Sequence, residues 1–380
     1  MEFLPFFLIV LASVLFSFVF RRFHLPWVLA LITGGVFVGP HGLDLVQLNP
    51  TITFMSQIGL IFLMFMAGLE TKLSSFKHFT KSLVTLPIIN AMVPFAVGYA
   101  IGIFFGMEMI SSLLLGIIFM SSSISVIVPT LEATGLMYTK LGRSIVSTIM
   151  IEDIASLVLL SILLQSINPT TALPLPSFYF LLTILLISLA YGLPKIRNLI
   201  PHRRDEKDLF ESEVRIIFAL LLGTVITFEF LGLHPIIAGF FAGLVLSDSI
   251  RSEILIEKLR TLSYGIFIPV FFVVIGMKTD ISVFQNGQGE IALILAVIIG
   301  SIGSKLASGW FGARIAGFKN KEALIFGFAT TPQLSTTFAV VFTGLTLGLI
   351  ETKLVAAMVM HSIISILISP LALYYFQKKK

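Results

Sequence analysis

Long apolar runs broken by short polar turns fill almost the whole chain. Most of them reach the ~20 residues that a membrane-crossing helix needs. Thirteen runs can be counted: residues 3–20, 27–39, 52–69, 82–106, 110–133, 141–166, 176–194, 213–231, 234–248, 260–278, 289–314, 321–347 and 352–375. The second and ninth are short, and we expect them to be tilted, broken or shielded by neighbours. The pattern predicts an all-α polytopic membrane protein with thirteen transmembrane helices.

The charges fit one orientation of these helices. Of the 380 residues, 57% are hydrophobic and only 12% are charged, a composition typical of membrane proteins. With the N-terminus outside, 22 of the 25 lysines and arginines fall in inner loops and in the C-terminal tail, as the positive-inside rule requires. The exceptions are Lys278 and Lys353 in outer loops and Lys305 inside the eleventh helix. We therefore predict a plasma-membrane protein with a cytoplasmic C-terminus, and the net charge of +5 reflects orientation rather than nucleic-acid binding.

Several function classes lack their parts. The chain has no cysteine, which excludes disulfides, thiolate metal sites and cysteine catalysis. It has no His-Glu-x-x-His and no Gly-x-Gly-Asp motif, so an intramembrane protease is disfavoured. We predict neither enzymatic activity nor a bound cofactor. A channel or a non-transporting sensor stays open, because a fold does not fix a function.

Two sequence matches indicate an internal repeat. The matches are Pro26 and Gly34 with Pro235 and Gly243, 209 residues apart, and segment 68–76 with segment 276–284, 208 residues apart. Helices two to six thus correspond to nine to thirteen, and this odd shift of seven helices inverts the second copy in the membrane. We place the first repeat at 22–166, a linker with the seventh helix at 167–212, and the second repeat at 232–376, all within one transporter unit.

The repeat also predicts two broken helices. The fifth helix contains Ser122, Ser123 and Ser125 ahead of a proline, and the twelfth contains Thr331-Pro332-Gln333 at the matching place. Proline frees a backbone carbonyl, and unwound backbone at mid-membrane is tolerated where it lines a cavity or packs within protein. We predict that these segments line a substrate site.

Two adjacent carboxylates, Glu152 and Asp153, lie in the middle of the sixth helix. Charged groups at this depth normally face a pathway or a partner inside the bundle. Adjacent residues on a helix diverge by roughly 100°, so one acid can face the broken helices while the other lies to its side. A site that binds either a proton or a cation is the elementary requirement for exchange. We predict that this pair of acids, with the hydroxyls of Ser122, Ser123 and Ser125 as further ligands, holds the site that a proton and an alkali cation share.

Two more ionisable residues lie deep in the second repeat. Lys305 needs a carboxylate, and we expect an ion pair with Asp153 or Glu152 in the empty site. His361 matches the position of the carboxylate pair, since it follows Glu152 by 209 residues. We interpret it as a satisfied core histidine rather than a ligand.

These residues resemble the monovalent cation:proton antiporter 2 family, which includes Kef-type potassium efflux systems and bacterial Na⁺/H⁺ antiporters. The resemblance covers nearly the whole chain. It rests on Pro26 through Gly42, Leu60 through Glu70, Leu141-Gly142-Arg143 leading to Glu152-Asp153, His234 through Leu244, and Pro269 through Met277. It implies a core with two crossed broken helices, a dimerisation domain and hence a homodimer, elevator-like movement, and a cation site at Asp153. Lys305 falls where Na⁺/H⁺ members carry a lysine.

The chain also departs from this family. Members usually have Asp, Asn or Gln before the aspartate, whereas this chain has Glu152, which leaves the charge stoichiometry open. Thr331-Pro332-Gln333 differs from the break of Kef-type members. The function predicted is a secondary antiporter exchanging Na⁺ for H⁺, with K⁺/H⁺ exchange or Kef-type efflux as the alternative, since oxygen ligands alone do not fix the size of the cation.

Overall fold

The computed structural model describes residues 3–22, 26–71, 81–167, 177, 180, 183, 184, 211–230, 233–247, 249–250, 252–279 and 288–378. Regular structure in these ranges is helical throughout. The helices are α1 (Phe3–Arg22), α2 (Trp27–Val38), α3 (Pro50–Glu70), α4 (Lys81–Phe104), α5 (Met109–Met120), α6 (Ile124–Ala133), α7 (Lys140–Ile167), α8 (Ser212–Phe230), α9 (Pro235–Ser247), α10 (Glu253–Leu262), α11 (Ile268–Lys278), α12 (Gln288–Ile315), α13 (Asn320–Ala329), α14 (Ser335–Thr346) and α15 (Thr352–Lys378).

Twelve of the thirteen predicted segments coincide with helices. Within the described ranges, eight helical spans are long and apolar enough to cross a membrane. The second and ninth segments form the short helices α2 and α9, of 12 and 13 residues. The seventh segment, 176–194, and the linker around it lie almost entirely outside the described residues.

The tenth helix begins earlier than its hydropathy indicates. Hydropathy predicts a start at residue 260, but α10 begins at Glu253 and continues through a π-helical turn, Ser263–Phe267, into α11. Ser252 caps α10 by accepting a hydrogen bond from the Leu255 backbone N–H at 3.2 Å. Leu255 and Leu259 are buried while the charged residues of α10 occupy its other face. An amphipathic turn of this kind has low mean hydropathy, which is why a search for apolar runs misses it.

Both predicted helix breaks are present. The fifth segment is divided into α5 and α6 by Ser121–Ser123, and the twelfth into α13 and α14 by residues 330–334. Pro332 lies in the second break, whereas Pro129 lies inside α6. Serines, not proline, therefore mark the first break. Their hydroxyls can bond to backbone groups in competition with the helix.

The chain folds as two compact units. The first comprises Met1–Phe54, His78–Leu160 and Pro269–Lys380, and the second Met55–Lys77 and Ser161–Ile268. Each unit contains a close crossing of two helices at a pair of glycines. In the first, a methyl group added to Gly35 of α2 would lie 2.9 Å from the Gly276 Cα of α11 and would collide with the Val273 carbonyl. In the second, a methyl group on Gly243 of α9 would lie 2.9 Å from the backbone nitrogen of Leu69 at the end of α3.

These two crossings are copies of one another. Gly35 and Gly243 are 208 residues apart, as are Gly68 and Gly276, and the colliding carbonyls repeat at the same offset. Gly276 would strike the Ile32 carbonyl, and Gly68 would strike the carbonyl of Phe240. The two repeats therefore exchange roles, as an inverted repeat requires. The crossing also corrects the alignment of the repeats, because Gly35 rather than Gly34 is the partner of Gly243.

Candidate functional site

The two helix breaks cross each other inside the first unit. Ser123 donates its backbone N–H to the Pro332 carbonyl at 2.7 Å. Gln333 Nε2 donates to the Phe119 carbonyl at 2.9 Å, and the hydroxyls of Ser121 and Thr337 pair at 2.8 Å. Backbone groups that the breaks release are thus satisfied by the opposite break, the condition under which irregular backbone is stable at membrane depth.

Glu152 lies beside this crossing with both carboxylate oxygens hydrogen-bonded. Its side chain is fully buried. Oε1 accepts from Asn90 Nδ2 at 2.7 Å, and Oε2 accepts from Lys305 Nζ and the Ser122 hydroxyl, each at 2.8 Å. A buried charge is stable only when it is paired and hydrogen-bonded in this way.

Lys305 forms its ion pair with Glu152, one of the two acids considered for it. All three of its ammonium hydrogens have an acceptor, since Nζ also donates to Ser122 Oγ at 2.9 Å and to the Met120 carbonyl at 2.6 Å. Met120 is the last residue of α5. A cation at the carbonyl end of a helix is favourable because the helix dipole is negative there. Lys305 thus joins α12 to α7 and to the first break.

Asn90 and Ser308 are site residues that the sequence analysis missed. Asn90 lies on α4 and is fully buried. Its Oδ1 accepts from the Ser308 hydroxyl at 2.9 Å, so its NH₂ group faces Glu152. Gly309 makes room for this amide, because a methyl group there would lie 3.1 Å from Asn90 Oδ1 and 2.7 Å from the Gly327 Cα. A buried amide in an apolar helix was the available signal.

Asp153 has a different environment from Glu152. It is buried, and the Thr336 side chain and the Ser122 backbone N–H lie near its carboxyl group. Yet its Oδ1 atom and the Thr336 hydroxyl have no hydrogen-bond partner among the described residues. Thr336 is the second residue of α14, whose positive N-terminal end favours an anion. Among the described residues, Asp153 therefore presents a carboxyl oxygen without a hydrogen-bond partner next to the second break.

The remaining predicted residues divide into two groups. The Ser122 hydroxyl serves the ion pair and the Thr330 carbonyl, which lies 2.7 Å away. The Ser123 and Ser125 hydroxyls pair with each other at 3.0 Å, and neither bonds to Glu152 or Asp153 in the described structure. In the second break, the Thr331 hydroxyl donates to the Gly327 carbonyl at 2.8 Å, and the buried Gln333 Oε1 has no partner in the described ranges.

His361 is not a satisfied core histidine, and that interpretation is wrong. It is fully buried on α15, and neither ring nitrogen has a hydrogen-bond partner within the described part of the chain. The hydroxyl of the next residue, Ser362, also lacks one there. A neutral imidazole has one donor and one acceptor, and both are unused. His361 also makes no contribution to the Glu152–Lys305 pair.

The site therefore combines one neutralised pair with one unpaired carboxylate. Glu152 and Lys305 carry opposite charges, so the net charge of the three ionisable groups equals that of Asp153 alone. Among the described residues no group of three or more His, Asp or Glu side chains could hold a metal ion. One carboxylate with neutral oxygens is a weak and exchangeable set of ligands for a hard monovalent cation.

The comparisons with known proteins place this site in context. The family model described as "Sodium/hydrogen exchanger, transmembrane" matches residues 7–375. The "Na(+)/H(+) antiporter" of Enterococcus hirae is 31% identical over 382 residues, covering 98% of this chain and 97% of the relative. The "Na(+)/H(+)-K(+) antiporter GerN" of Bacillus cereus is 30% identical, covering 99% and 97%.

A solved structure has the same fold. The sodium proton antiporter MjNhaP1 from Methanocaldococcus jannaschii, determined at pH 8, aligns with a TM-score of 0.74 at 17% sequence identity, covering 98% of this chain and 96% of that chain. The predicted fold class, an all-α polytopic membrane protein with an inverted repeat and two crossed broken helices, is confirmed.

Proposed function

Because this chain belongs to the sodium/hydrogen exchanger family, we propose that it is a secondary antiporter exchanging Na⁺ for H⁺ across the membrane. The observation that carries the proposal is the contrast between two neighbouring acids. Both carboxylate oxygens of Glu152 accept hydrogen bonds, whereas Asp153 Oδ1 is buried without a partner among the described residues. An ion that neutralises Asp153 completes the site, and either a proton or a cation can do so.

The cation ligands follow from the unused oxygens. Among the described residues, Asp153 Oδ1 and the Thr336 hydroxyl have no hydrogen-bond partner, and the two side chains lie near each other. Gln333 Oε1 in the second break also lacks a partner there, and the Gln333 side chain is held by the bond from Nε2 to the Phe119 carbonyl. Hard alkali cations prefer such oxygens. Ser122, Ser123 and Ser125 stay proposed ligands, although reaching the cation requires Ser123 and Ser125 to give up their mutual bond.

Lys305 and Glu152 fix the charge of the exchange. While their ion pair persists, the site changes charge by one unit when Asp153 is neutralised. We therefore propose that one Na⁺ exchanges for one H⁺, so that transport moves no net charge. Mutual exclusion at one carboxylate couples the two fluxes, because the site can return across the membrane only when an ion occupies it.

The setting of the exchange is proposed on the same basis. Alternating access uses the repeats placed at 22–166 and 232–376, the core moves elevator-like, and the chain works as a homodimer. The distribution of Lys and Arg supports a plasma-membrane location with an external N-terminus. A role in pH homeostasis follows from proton-coupled exchange.

Exchange in proteoliposomes tests the function. Purified protein is reconstituted with an imposed pH gradient, and Na⁺, Li⁺ or K⁺ is added outside while internal pH is recorded. We expect Na⁺-dependent proton movement that does not change when valinomycin and K⁺ set the membrane potential. K⁺ is included because one relative is named a Na(+)/H(+)-K(+) antiporter. No cation-dependent proton flux from folded protein would reject the proposal, and flux that follows the potential would reject one-for-one exchange.

A further inference from the structure

Two cationic side chains from different helices contact one buried phenylalanine, and a third cation follows that phenylalanine in the sequence. Lys140 at the start of α7 places Nζ 5.3 Å from the centre of the Phe318 ring. Arg314 near the end of α12 donates from Nη1 to the Phe318 carbonyl at 3.0 Å. Lys319 is the next residue. All three cations are exposed, whereas Phe318 is buried. We call Lys140, Arg314 and Lys319 the Phe318 basic cluster.

No acidic side chain of the described chain forms an ion pair with this cluster; the pairs present there involve Lys258, Arg260, Lys305 and Lys353. The neighbouring acid, Glu322, already accepts a hydrogen bond from the Lys319 backbone N–H at 2.9 Å. Like charges held close together repel unless an anion lies among them. The described part of the chain therefore supplies no counterion to this cluster.

The height of the cluster in the membrane indicates which anion that is. Phe311 and Ile315, on either side of Arg314, are each 55% exposed, so the apolar surface of α12 ends within a turn of the cluster. Trp310 is partly exposed and donates its indole N–H to Asn320 Oδ1 at 2.7 Å. A tryptophan with an apolar body and a bonded N–H is typical of the headgroup level. The anion that occurs at this level throughout a membrane is lipid phosphate.

We propose that the Phe318 basic cluster binds the phosphate of an anionic phospholipid headgroup. Arg314 presents a planar fork that matches phosphate oxygens, and Lys140 and Lys319 add point charges from two sides. Each cation near an anionic membrane surface strengthens binding about fivefold. The lipid would tie the start of α7, the helix that carries both acids, to the end of α12, the helix that carries Lys305.

The test compares lipids on the purified protein. Thermal unfolding and native mass spectrometry are recorded in detergent with phosphatidylglycerol, with phosphatidylcholine, or with inorganic phosphate. We expect phosphatidylglycerol alone to raise the unfolding temperature and to stay bound. The variant Lys140→Gln/Arg314→Gln/Lys319→Gln should lose about a hundredfold in affinity for phosphatidylglycerol. Lys353→Gln, which removes a cation paired with Glu351 at 2.6 Å, is the matched control and should bind as the wild type does.

Lys319→Glu serves as a second variant if the triple one does not fold. Lys319 is exposed and its side chain supports no described contact, so the fold should persist while affinity falls about twentyfold. Unchanged lipid binding in either folded variant overturns the proposal. Equal stabilisation by inorganic phosphate also overturns it, because the site would then take free phosphate rather than a headgroup. The readout is lipid binding, so the result does not depend on the proposed exchange.

Discussion

The helices α7 and α15 occupy equivalent places in the two repeats but carry different chemistry. On α7, Glu152 accepts hydrogen bonds from three neighbouring side chains, whereas Asp153 Oδ1 has no hydrogen-bond partner among the described residues. On α15, His361 follows Asp153 by 208 residues, the offset of the glycine crossings, and has no partner among the described residues. At this place α7 carries two acids, whereas α15 carries an imidazole ring whose nitrogens have no hydrogen-bond partner in the described ranges.

The backbone shows no such difference. Gly35 with Gly276, and Gly68 with Gly243, make the same close crossing in the two units. The repeat therefore preserves the path of the chain, where contact between backbones fixes the residue type, and lets the polar side chains diverge. We therefore expect one ion site per chain, because Asp153 has no acidic equivalent in the second repeat.

The largest effect on exchange is expected at Asp153 on α7. Asp153→Asn should abolish exchange while the protein stays folded, because the amide keeps the volume but can neither bind a proton nor neutralise a cation. Proteoliposome flux and thermal unfolding of the same preparation check this. Wild-type flux in folded Asp153→Asn protein would contradict the mechanism.

Breaking the Glu152–Lys305 ion pair should cause the largest loss of unfolding free energy. Lys305→Gln leaves Glu152 buried without its cation and should cost about 3–5 kcal/mol of unfolding free energy. Glu152→Gln should cost a similar amount, whereas the double variant Glu152→Gln/Lys305→Gln should regain much of the loss. Denaturant unfolding of the three variants forms a double-mutant cycle. Additive losses would show that the two charges do not depend on each other.

Substitutions at the glycine crossings test whether both repeats depend on the same close backbone contact. Gly276→Ala and Gly68→Ala should each destabilise by about 1–3 kcal/mol or more, because the new methyl group meets backbone that cannot move aside cheaply. Gly303→Ala on α12 is the control, since nothing lies within 4 Å of its methyl position, and it should stabilise the helix slightly. Thermal unfolding measures all three. Equal effects at Gly276 and Gly303 would rule out the close crossing.

A substitution of Asn90 tests whether the Glu152–Lys305 ion pair depends on the hydrogen bond from the Asn90 amide. Asn90→Ala leaves Glu152 Oε1 buried without a donor and should cost about 1–3 kcal/mol. Ser301→Ala is a matched control, because Ser301 is buried on α12 and its hydroxyl has no partner among the described residues. Chemical unfolding compares the two. A cost no larger than that of Ser301→Ala would remove Asn90 from the site.

The smallest effect is expected at His361 on α15. His361→Leu removes two unbonded polar atoms, so stability should change by less than about 1 kcal/mol or improve, and exchange should continue. Flux and unfolding temperature of the variant check both points. Loss of exchange with an intact fold would mean that α15 takes part in exchange as α7 does, although the contacts of His361 do not indicate it.

Much of the fold could be predicted because membranes demand long apolar helices. The twelve described segments, the short α2 and α9, and both breaks follow from apolar length and polar interruptions. The start of α10 could not, since Ser252 caps an amphipathic turn without an apolar run. Glu152, Asp153 and Lys305 were found as rare charges at depth. Which acid Lys305 selects depends on the positions of Asn90 and Ser122, and helical spacing alone does not contain that information.

Ser122 has one hydroxyl hydrogen but two acceptors, Glu152 Oε2 at 2.8 Å and the Thr330 carbonyl at 2.7 Å. A hydroxyl can rotate between such acceptors in picoseconds to nanoseconds, far faster than any domain movement. The fraction of time that the hydrogen spends on each acceptor therefore depends on the orientation of the Thr330 carbonyl, which follows the last residue of α13. If the Thr330 carbonyl turns away, the hydrogen goes wholly to Glu152, so this serine converts a small change of backbone into a change of the field at the carboxylate.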